Sequence, residues 1–383
     1  MFARLASSGL LQIRPLRQLE HPREVIRQFT PNWFAVTMGT GILALALPQL
    51  PLPGMQLVGR TLWLINIGLF CLFMLLYAAR WLFFFHEAKR VFGHATVSMF
   101  FGTIPMGLAT IINGVLAFGV PYWGEQLVAV ALPLWWFDVA LALICGVSIP
   151  YLMFTHQEHS IDQMTAVWLL PVVAAEVAAV SGGLLIPYLA GEQAYQVLIV
   201  SYVLWAYSVP VALSILVILI LRMAVHKLPH QNMAASSLLS LGPIGTGALG
   251  LLVLGADAAS VLAARGMETV GMVAQGVGVI GGLLLWGLGL WWLLLALLIT
   301  IRYFRHGVPF NLGWWGFTFP VGVYALATLK LGSVLQLGFF HKMGVALVVL
   351  LALMWLMVAT RTLRGAWRGG LFVSPCIAAA CAR

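Results

Sequence analysis

The sequence predicts an all-α integral membrane protein with ten transmembrane helices. Of its 383 residues, 62% are hydrophobic and only 8% are charged, whereas soluble domains average about 25% charged residues. Ten stretches are long and apolar enough to cross a bilayer, which requires about 20 mostly apolar residues. Lys and Arg are concentrated in alternate connections, the pattern expected when alternate loops stay in the cytoplasm.

The ten predicted crossings are separated by short connections, so we expect one membrane domain. Residues 1–30 are predicted to be a cytosolic basic arm, residues 31–364 the ten-helix transmembrane domain, and residues 365–383 a cytosolic tail. The crossings are predicted at 31–50, 57–84, 95–120, 126–154, 164–190, 195–224, 234–262, 270–302, 310–337 and 341–362.

The positive charges predict the orientation of these crossings. Sixteen of the 20 Lys and Arg residues fall on the side that carries both termini. Arg60, Arg265 and Lys342 fall on the other side, and Lys330 falls inside the ninth crossing. Because cytoplasmic loops are enriched in Lys and Arg, both termini are predicted to be cytoplasmic, in a multi-pass protein of the plasma (cytoplasmic or inner) membrane.

The composition also excludes several classes of protein. The net charge of +9 is explained by topology, and no basic patch accompanies a nucleic-acid-binding motif. Residues 1–30 contain no apolar segment typical of a cleaved signal peptide. The four cysteines show no paired spacing, so we expect neither a disulfide nor a metal site; they are Cys71, Cys145, Cys376 and Cys381.

No cofactor is predicted. His156 and His159 lie in one loop without a companion cluster of ligands, which does not favour a metal site. No nucleotide-binding signature is present, so ATP-driven transport by this chain alone is not expected. A membrane-embedded enzyme would need a clustered nucleophile, base or metal site, and polar residues inside the crossings are too sparse for one.

The odd-numbered crossings share Thr, Gly and Pro residues. Pro removes a backbone donor and frees a carbonyl one turn earlier, and such groups must be satisfied by protein or water inside a membrane. The odd-numbered helices are therefore expected to be kinked and to line a central path, with the even-numbered helices facing lipid. The alternative is that these residues only permit close helix packing. The candidate path residues are Thr40, Gly41, Thr103, Pro105, Gly107, Pro171, Gly242, Pro243, Gly245, Thr246, Thr318 and Pro320.

Ionisable residues inside a crossing are costly, and functional roles for them are common. Asp138 and Glu176 fall near the middle of the fourth and fifth crossings. Either is a candidate proton site or a neutral hydrogen-bonding group between helices. Lys330, near the end of the ninth crossing, could attract anions or extend its amine to the interface, and Asp257 is predicted to be interfacial.

Several segments resemble the tellurite-resistance/dicarboxylate transporter family, which includes bacterial tellurite-resistance channels, fungal malate permeases and sulfite exporters, and plant slow anion channels. The resemblance extends from about Pro31 to Arg364. The segments that carry it are Pro31–Phe34 followed by Met38–Gly41, Phe101–Asn113, Met164–Gly183, and Trp314–Pro320 continuing to Ala327–Lys330.

This resemblance implies ten helices arranged as five hairpins around a central pore, assembled as a homotrimer. It also implies that Phe319 is the aromatic residue that gates the pore; the alternative is that Phe319 only packs in the core. The expected substrates are small anions, most specifically C4-dicarboxylates such as malate. A chloride or nitrate channel and a sulfite exporter are the alternatives within transport, and a receptor or scaffold would not need repeated path-lining helices.

Overall fold

A computed structural model describes residues 15–377, and within that range all regular secondary structure is helical. Ten helices form the body of the protein, connected by shorter helical turns. They are α1 (Phe34–Ala46), α2 (Met55–Phe83), α3 (Thr103–Gly114), α4 (Val128–Thr155), α5 (Leu170–Leu185), α6 (Gly191–His226), α7 (Leu241–Ala263), α8 (Glu268–Arg305), α9 (Phe319–Leu335) and α10 (Gly338–Arg368).

Nine helical segments between residues 15 and 377 are long and apolar enough to cross a membrane, and α1 is the exception. It has only 13 residues of α-helix, between the 3₁₀ turns Pro31–Trp33 and Leu47–Gln49. The two ends of the described chain nevertheless meet, since the Leu16 amide donates to the Trp367 carbonyl at 2.7 Å. Ends on one side require an even number of crossings, so α1 with its flanking turns supplies the tenth.

Burial alternates between the odd-numbered and even-numbered helices. In the apolar windows that contain α3, α5, α7 and α9, 72% to 100% of residues are buried, against 22% to 39% for the even-numbered helices. In α1, every residue except Leu45 is buried. Because α1 is surrounded by protein, it need not meet the length and apolarity that contact with lipid requires. The predicted division into five inner and five outer helices is confirmed.

The five inner helices form a closed ring. Each contacts the next in the order α1, α3, α5, α7 and α9, and α9 contacts α1. Each inner helix also packs against the outer helix that follows it in the chain, which makes five hairpins. All five inner helices run in the same direction away from the side of the termini, which places their N-terminal ends together.

The prolines of the inner helices lie near the starts of the α-helices, in the first half of each crossing, as the sequence predicts. Pro171 and Pro320 occupy the first turn of α5 and α9, and Pro105 and Pro243 are the third residues of α3 and α7. The amide groups of a first turn have no intrahelical partner, so Pro is tolerated there. A short helical turn precedes each inner α-helix, and four of these five turns are 3₁₀ turns. Each inner crossing is therefore a short turn followed by an α-helix.

The last helix ends at Arg368, four residues beyond the predicted end of the transmembrane domain at residue 364. The segment that follows it folds back onto the N-terminal segment. The Ser374 amide donates to Gln28 Oε1 at 2.7 Å, and the rings of Trp33 and Phe372 stack with centroids 4.9 Å apart. Arg80, one of the cations expected on this side, is buried and donates to the Phe29 carbonyl. Arg4 and Arg14 of the predicted arm, and Cys381, lie outside the described residues.

Candidate functional site

Two cavities lie on the axis of the ring. The first, which we name the termini-side cavity, has a volume of about 340 Å³. The second, the far-side cavity, has a volume of about 440 Å³. The inner-helix segments contribute Met38, Thr103, Leu170, Leu239 and Gly316 to the first cavity and Ile42, Thr110, Val177, Thr246 and Phe319 to the second.

A closed septum separates these cavities. In α3, for example, the six residues between Thr103 and Thr110 line neither cavity. The same six-residue gap occurs in α5 and in the chain leading into α7. At about 1.5 Å per residue, these three segments separate the two linings by about 10 Å. Only three residues separate the linings in α1, and only two separate them between Gly316 and Phe319.

The far-side cavity is built in layers, because its lining residues recur every three or four positions along each inner helix. Its floor, against the septum, consists of Ile42, Thr110, Val177, Thr246 and Phe319. The next layer consists of Leu45, Asn113, Val180, Leu249 and Val323. The layers are mostly apolar, with polar side chains on α3 and α7 only, so the cavity offers a few neutral hydrogen-bonding groups in an apolar surround.

Phe319 is the first residue of α9 and belongs to this floor. Its side chain is only 3% exposed. The 3₁₀ turn Leu312–Phe317 delivers the chain to this point, and Pro320 follows in the first turn of the helix. The Phe319 ring is therefore at the boundary between the septum and the far-side cavity.

The four predicted path threonines are all buried, and they divide into two pairs. Thr103 lines the termini-side cavity and Thr246 lines the far-side cavity. Thr40 accepts a hydrogen bond from Trp355 of α10 at 3.1 Å, and Thr318 donates to the Trp315 carbonyl at 2.7 Å. Neither Thr40 nor Thr318 lines a cavity, so only the first pair is brought to the axis.

The predicted glycines and prolines lie in the septum and line neither cavity. A Cβ at Gly107 would lie 2.6 Å from Thr37 Oγ1, and one at Gly245 would lie 2.9 Å from the Tyr324 amide nitrogen. A Cβ at Gly41 would lie closer still to Thr110 Oγ1 of α3. These contacts match the close-packing interpretation of the motif. The predicted glycines and prolines, none of which lines a cavity, are Gly41, Pro105, Gly107, Pro171, Gly242, Pro243, Gly245 and Pro320.

The two predicted carboxylic acids lie away from both cavities. Asp138 of α4 and Glu176 of α5 are completely buried, and neither has a hydrogen-bond partner among the described residues. Glu176 lies in the part of α5 that crosses the septum, whereas Asp138 is on an outer helix. A buried carboxyl group without a partner is costly when ionised, so both groups are well placed to be neutral.

Lys330 is the only charged residue among the described residues that line the two cavities. It is half-buried near the open end of the far-side cavity, in α9, and Asp257 of α7 is also half-buried. No Asp or Glu of residues 15–377 lines either cavity. The termini-side cavity is instead lined by the helical turns that lead into the inner helices and by Thr103 and Leu170, the first residues of α3 and α5. Helix N-termini favour negative charge.

The sequence analysis missed the polar amides of the cavities. Asn113 and Gln49 line the far-side cavity, and Asn32, Asn232 and Asn311 line the termini-side cavity. The candidate residues were chosen for charge or for membership of the Thr, Gly and Pro motif. Neutral amides have neither property. The spacing of Thr103, Thr110 and Asn113 along one helical face is the signal that could have found Asn113.

The histidine-containing loop lies beside the termini-side cavity. Gln157 Nε2 donates to the Phe92 carbonyl at 2.7 Å, and Gln157 Oε1 is 2.9 Å from His159 Nε2. Burial lowers the pKa of the His159 imidazole below its usual range. Among the residues searched, no group of three His, Cys, Asp or Glu side chains could hold a metal ion. The loop is thus held by hydrogen bonds within the protein.

The chain matches the family described as voltage-dependent anion channel (SLAC1) over residues 28–363. A sulfite efflux pump of Arthroderma benhamiae is 38% identical over 342 residues, which cover 88% of this chain and 90% of that protein. An uncharacterized transporter of Methanocaldococcus jannaschii is 26% identical over 93% of this chain and 99% of its own length. A malic acid transport protein of Schizosaccharomyces pombe is 23% identical over 87% of this chain and 77% of its own length.

These matches confirm the resemblance that the sequence motifs indicated. The family consists of channels and transporters rather than enzymes, and its match covers nearly all of the described transmembrane helices. This chain is a multi-pass membrane protein that belongs to the voltage-dependent anion channel (SLAC1) family.

Proposed function

We propose that this protein carries small anions along the axis of the inner ring, from one cavity to the other through the septum at Phe319. One observation carries the proposal: two cavities share one axis, and each is lined by all five inner-helix segments. Passage then requires that the septum between the two cavities open.

The electrostatics of the cavities support an anion as the substrate. Negative charge is favoured near helix N-termini, and the first residues of α3 and α5 line the termini-side cavity. Lys330 adds positive charge to the far-side cavity, with no opposing acidic residue in the lining among the described residues. Weak, neutral donors along the rest of the path suit transport, because a tightly bound ion would not leave.

Sulfite is the first substrate candidate. The sulfite efflux pump of Arthroderma benhamiae is 38% identical to this chain, and the malic acid transport protein is 23% identical. Malate, the more specific substrate expected from the sequence motifs, is therefore the second candidate, and chloride or nitrate conduction is the third. Outward movement of sulfite is the direction that the relative's name supports.

In vesicles containing the purified protein, sulfite flux is expected to exceed malate flux at equal concentration. Sulfite is expected to compete with the flux of a second permeant anion more strongly than malate does. Vesicles prepared without protein provide the baseline. Equal competition by malate would favour the dicarboxylate candidate, dominant chloride currents would favour the channel, and the absence of any anion flux would refute the transport proposal.

Glu176 is the favoured candidate for a proton site, because it is buried without a partner in the part of an inner helix that crosses the septum. Glu176→Gln keeps the shape and removes the ionisable proton. We expect it to reduce pH-gradient-driven uptake about tenfold or more while leaving anion exchange between equal pH values largely intact. Asp138→Asn, on an outer helix, is the matched comparison. Unchanged pH dependence in the Glu176 variant would make this group a structural one.

We further propose that both termini face the cytoplasm, in the plasma (cytoplasmic or inner) membrane, and that three copies assemble. The Lys and Arg bias between the two sides supports the orientation, and the contact between the two ends of the described chain supports their being on one side. The trimer follows from the family resemblance, and each copy would contain its own path.

A further inference from the structure

We infer that the floor of the far-side cavity, together with the layer next to it, is an oxyanion-binding site in which the Asn113 amide and the Thr246 hydroxyl donate hydrogen bonds to the ligand. This inference rests on the proposed function, because it identifies where the path holds its substrate. It adds a residue, Asn113, that neither the sequence motifs nor the gating interpretation of Phe319 includes.

The first support is that both groups are buried and lack partners. Asn113 is 7% exposed and Thr246 is 1% exposed. Neither Asn113 Oδ1 nor Thr246 Oγ1 has a hydrogen-bond partner among the described residues. A buried polar group without a partner costs roughly 1–3 kcal/mol, so a ligand oxygen that accepts from the Thr246 hydroxyl relieves an existing penalty. Asn113 Oδ1 is an acceptor, so the ligand would meet Asn113 through the N–H groups of its Nδ2.

A third polar group, the Thr110 hydroxyl, already has hydrogen-bond partners within the protein, so it is not among the free donors. Thr110 also belongs to the cavity floor, but its hydroxyl donates to the Gly107 carbonyl at 2.8 Å and accepts from Asn66 Nδ2 at 3.4 Å. Its proton is therefore committed within the protein. The amide of Asn113, which carries two N–H donors, and the hydroxyl of Thr246 remain as the uncommitted donors on α3 and α7.

The ring geometry places these donors on different walls of the cavity. Asn113 is on α3 and Thr246 is on α7, and α5 lies between these helices in the ring. The wall between them presents the apolar side chains Val177 and Val180, with Phe319 in the floor. An anion with separate acceptor oxygens can bond to both walls at once, which a spherical halide does less well.

The surroundings strengthen weak donors without trapping the ligand. The apolar lining lowers the local dielectric, which strengthens each hydrogen bond to a charged acceptor. Lys330 lies nearer the open end of the cavity and raises the local anion concentration without belonging to the floor. The ligand class that fits is a small oxyanion such as sulfite or nitrate.

The test is anion binding by purified protein in detergent, followed as the rise of the thermal unfolding midpoint with sulfite concentration. Asn113→Leu and Thr246→Val remove the donors with little change in size. Each is expected to raise the apparent Kd for sulfite about fivefold, as expected for the loss of about one hydrogen bond. Thr110→Val, the matched control at the same floor, is expected to change the apparent Kd less than twofold.

The outcomes separate this inference from the transport proposal. Equal sulfite affinity in wild type and in both variants would overturn the site while leaving transport intact. No response of the wild-type midpoint to sulfite, nitrate, chloride or malate would also overturn it, and the vesicle flux assays would still judge transport. Elution on size exclusion and the midpoint without anion establish that each variant is folded.

Discussion

Phe319→Ala is expected to raise anion flux through the reconstituted protein at least tenfold, the largest effect of any single substitution in the path. The Phe319 ring lies where the septum meets the far-side cavity, and the side chain is almost completely buried. Replacing the ring with a methyl group removes bulk where the septum meets the cavity. A tenfold change requires a barrier lower by only about 1.4 kcal/mol. Flux of sulfite into vesicles and electrical current across a planar bilayer would both measure it.

Phe317→Ala is the matched control for this experiment. Phe317 is buried two residues away, packs against Trp314 and Phe304, and lines neither cavity. Truncation of a buried Phe costs about 3–5 kcal/mol of stability, so both variants must be shown to be folded. A rise in flux for Phe319→Ala alone supports the gate. An equal rise in both would indicate leakage through loosened packing, and no rise in either would return Phe319 to a packing role.

Lys330→Glu is expected to reduce the flux of anions that enter from the far-side cavity about tenfold at low salt. Lys330 is the only charged residue of residues 15–377 that lines this cavity, so its reversal changes the sign of the local potential. The local concentration of ions depends exponentially on that potential, so a change of sign has a large effect. The expected loss shrinks as the ionic strength rises, because the Debye length falls to about 8 Å at physiological salt.

Lys342→Glu makes the same charge change outside the cavity. Lys342 is exposed at the start of α10, near the same end of the protein, and lines neither cavity. We expect its substitution to alter the flux less than twofold, and Lys330→Gln to have an intermediate effect. If Lys330→Glu and Lys342→Glu reduce the flux equally, the effect is that of overall surface charge, and Lys330 would instead be a residue that extends its amine to the interface.

The sequence alone determined the membrane architecture and the family. Hydrophobic length and the Lys and Arg distribution predicted ten crossings, because the bilayer imposes a fixed thickness and a charge asymmetry that are visible locally. The shared Thr, Gly and Pro residues correctly separated the inner helices from the outer ones. The physical role of these residues differs in part from the expected one. Gly245 and Gly107 permit close helix packing, and Pro171 lies in the first turn of a helix.

Only the tertiary structure decided which side chains reach the axis. Thr40 and Thr246 belong to similar motifs, yet Thr40 is bonded to Trp355 of an outer helix while Thr246 lines the far-side cavity. The direction of a side chain on a buried helix depends on how that helix is rotated against its neighbours. When every face of a helix is apolar, as in α1 and α5, the sequence carries no periodicity that could reveal the rotation. The sequence therefore determined that five helices lie inside and five outside, and the packing of the inner helices determined that Asn113, Thr246, Phe319 and Lys330 line the far-side cavity.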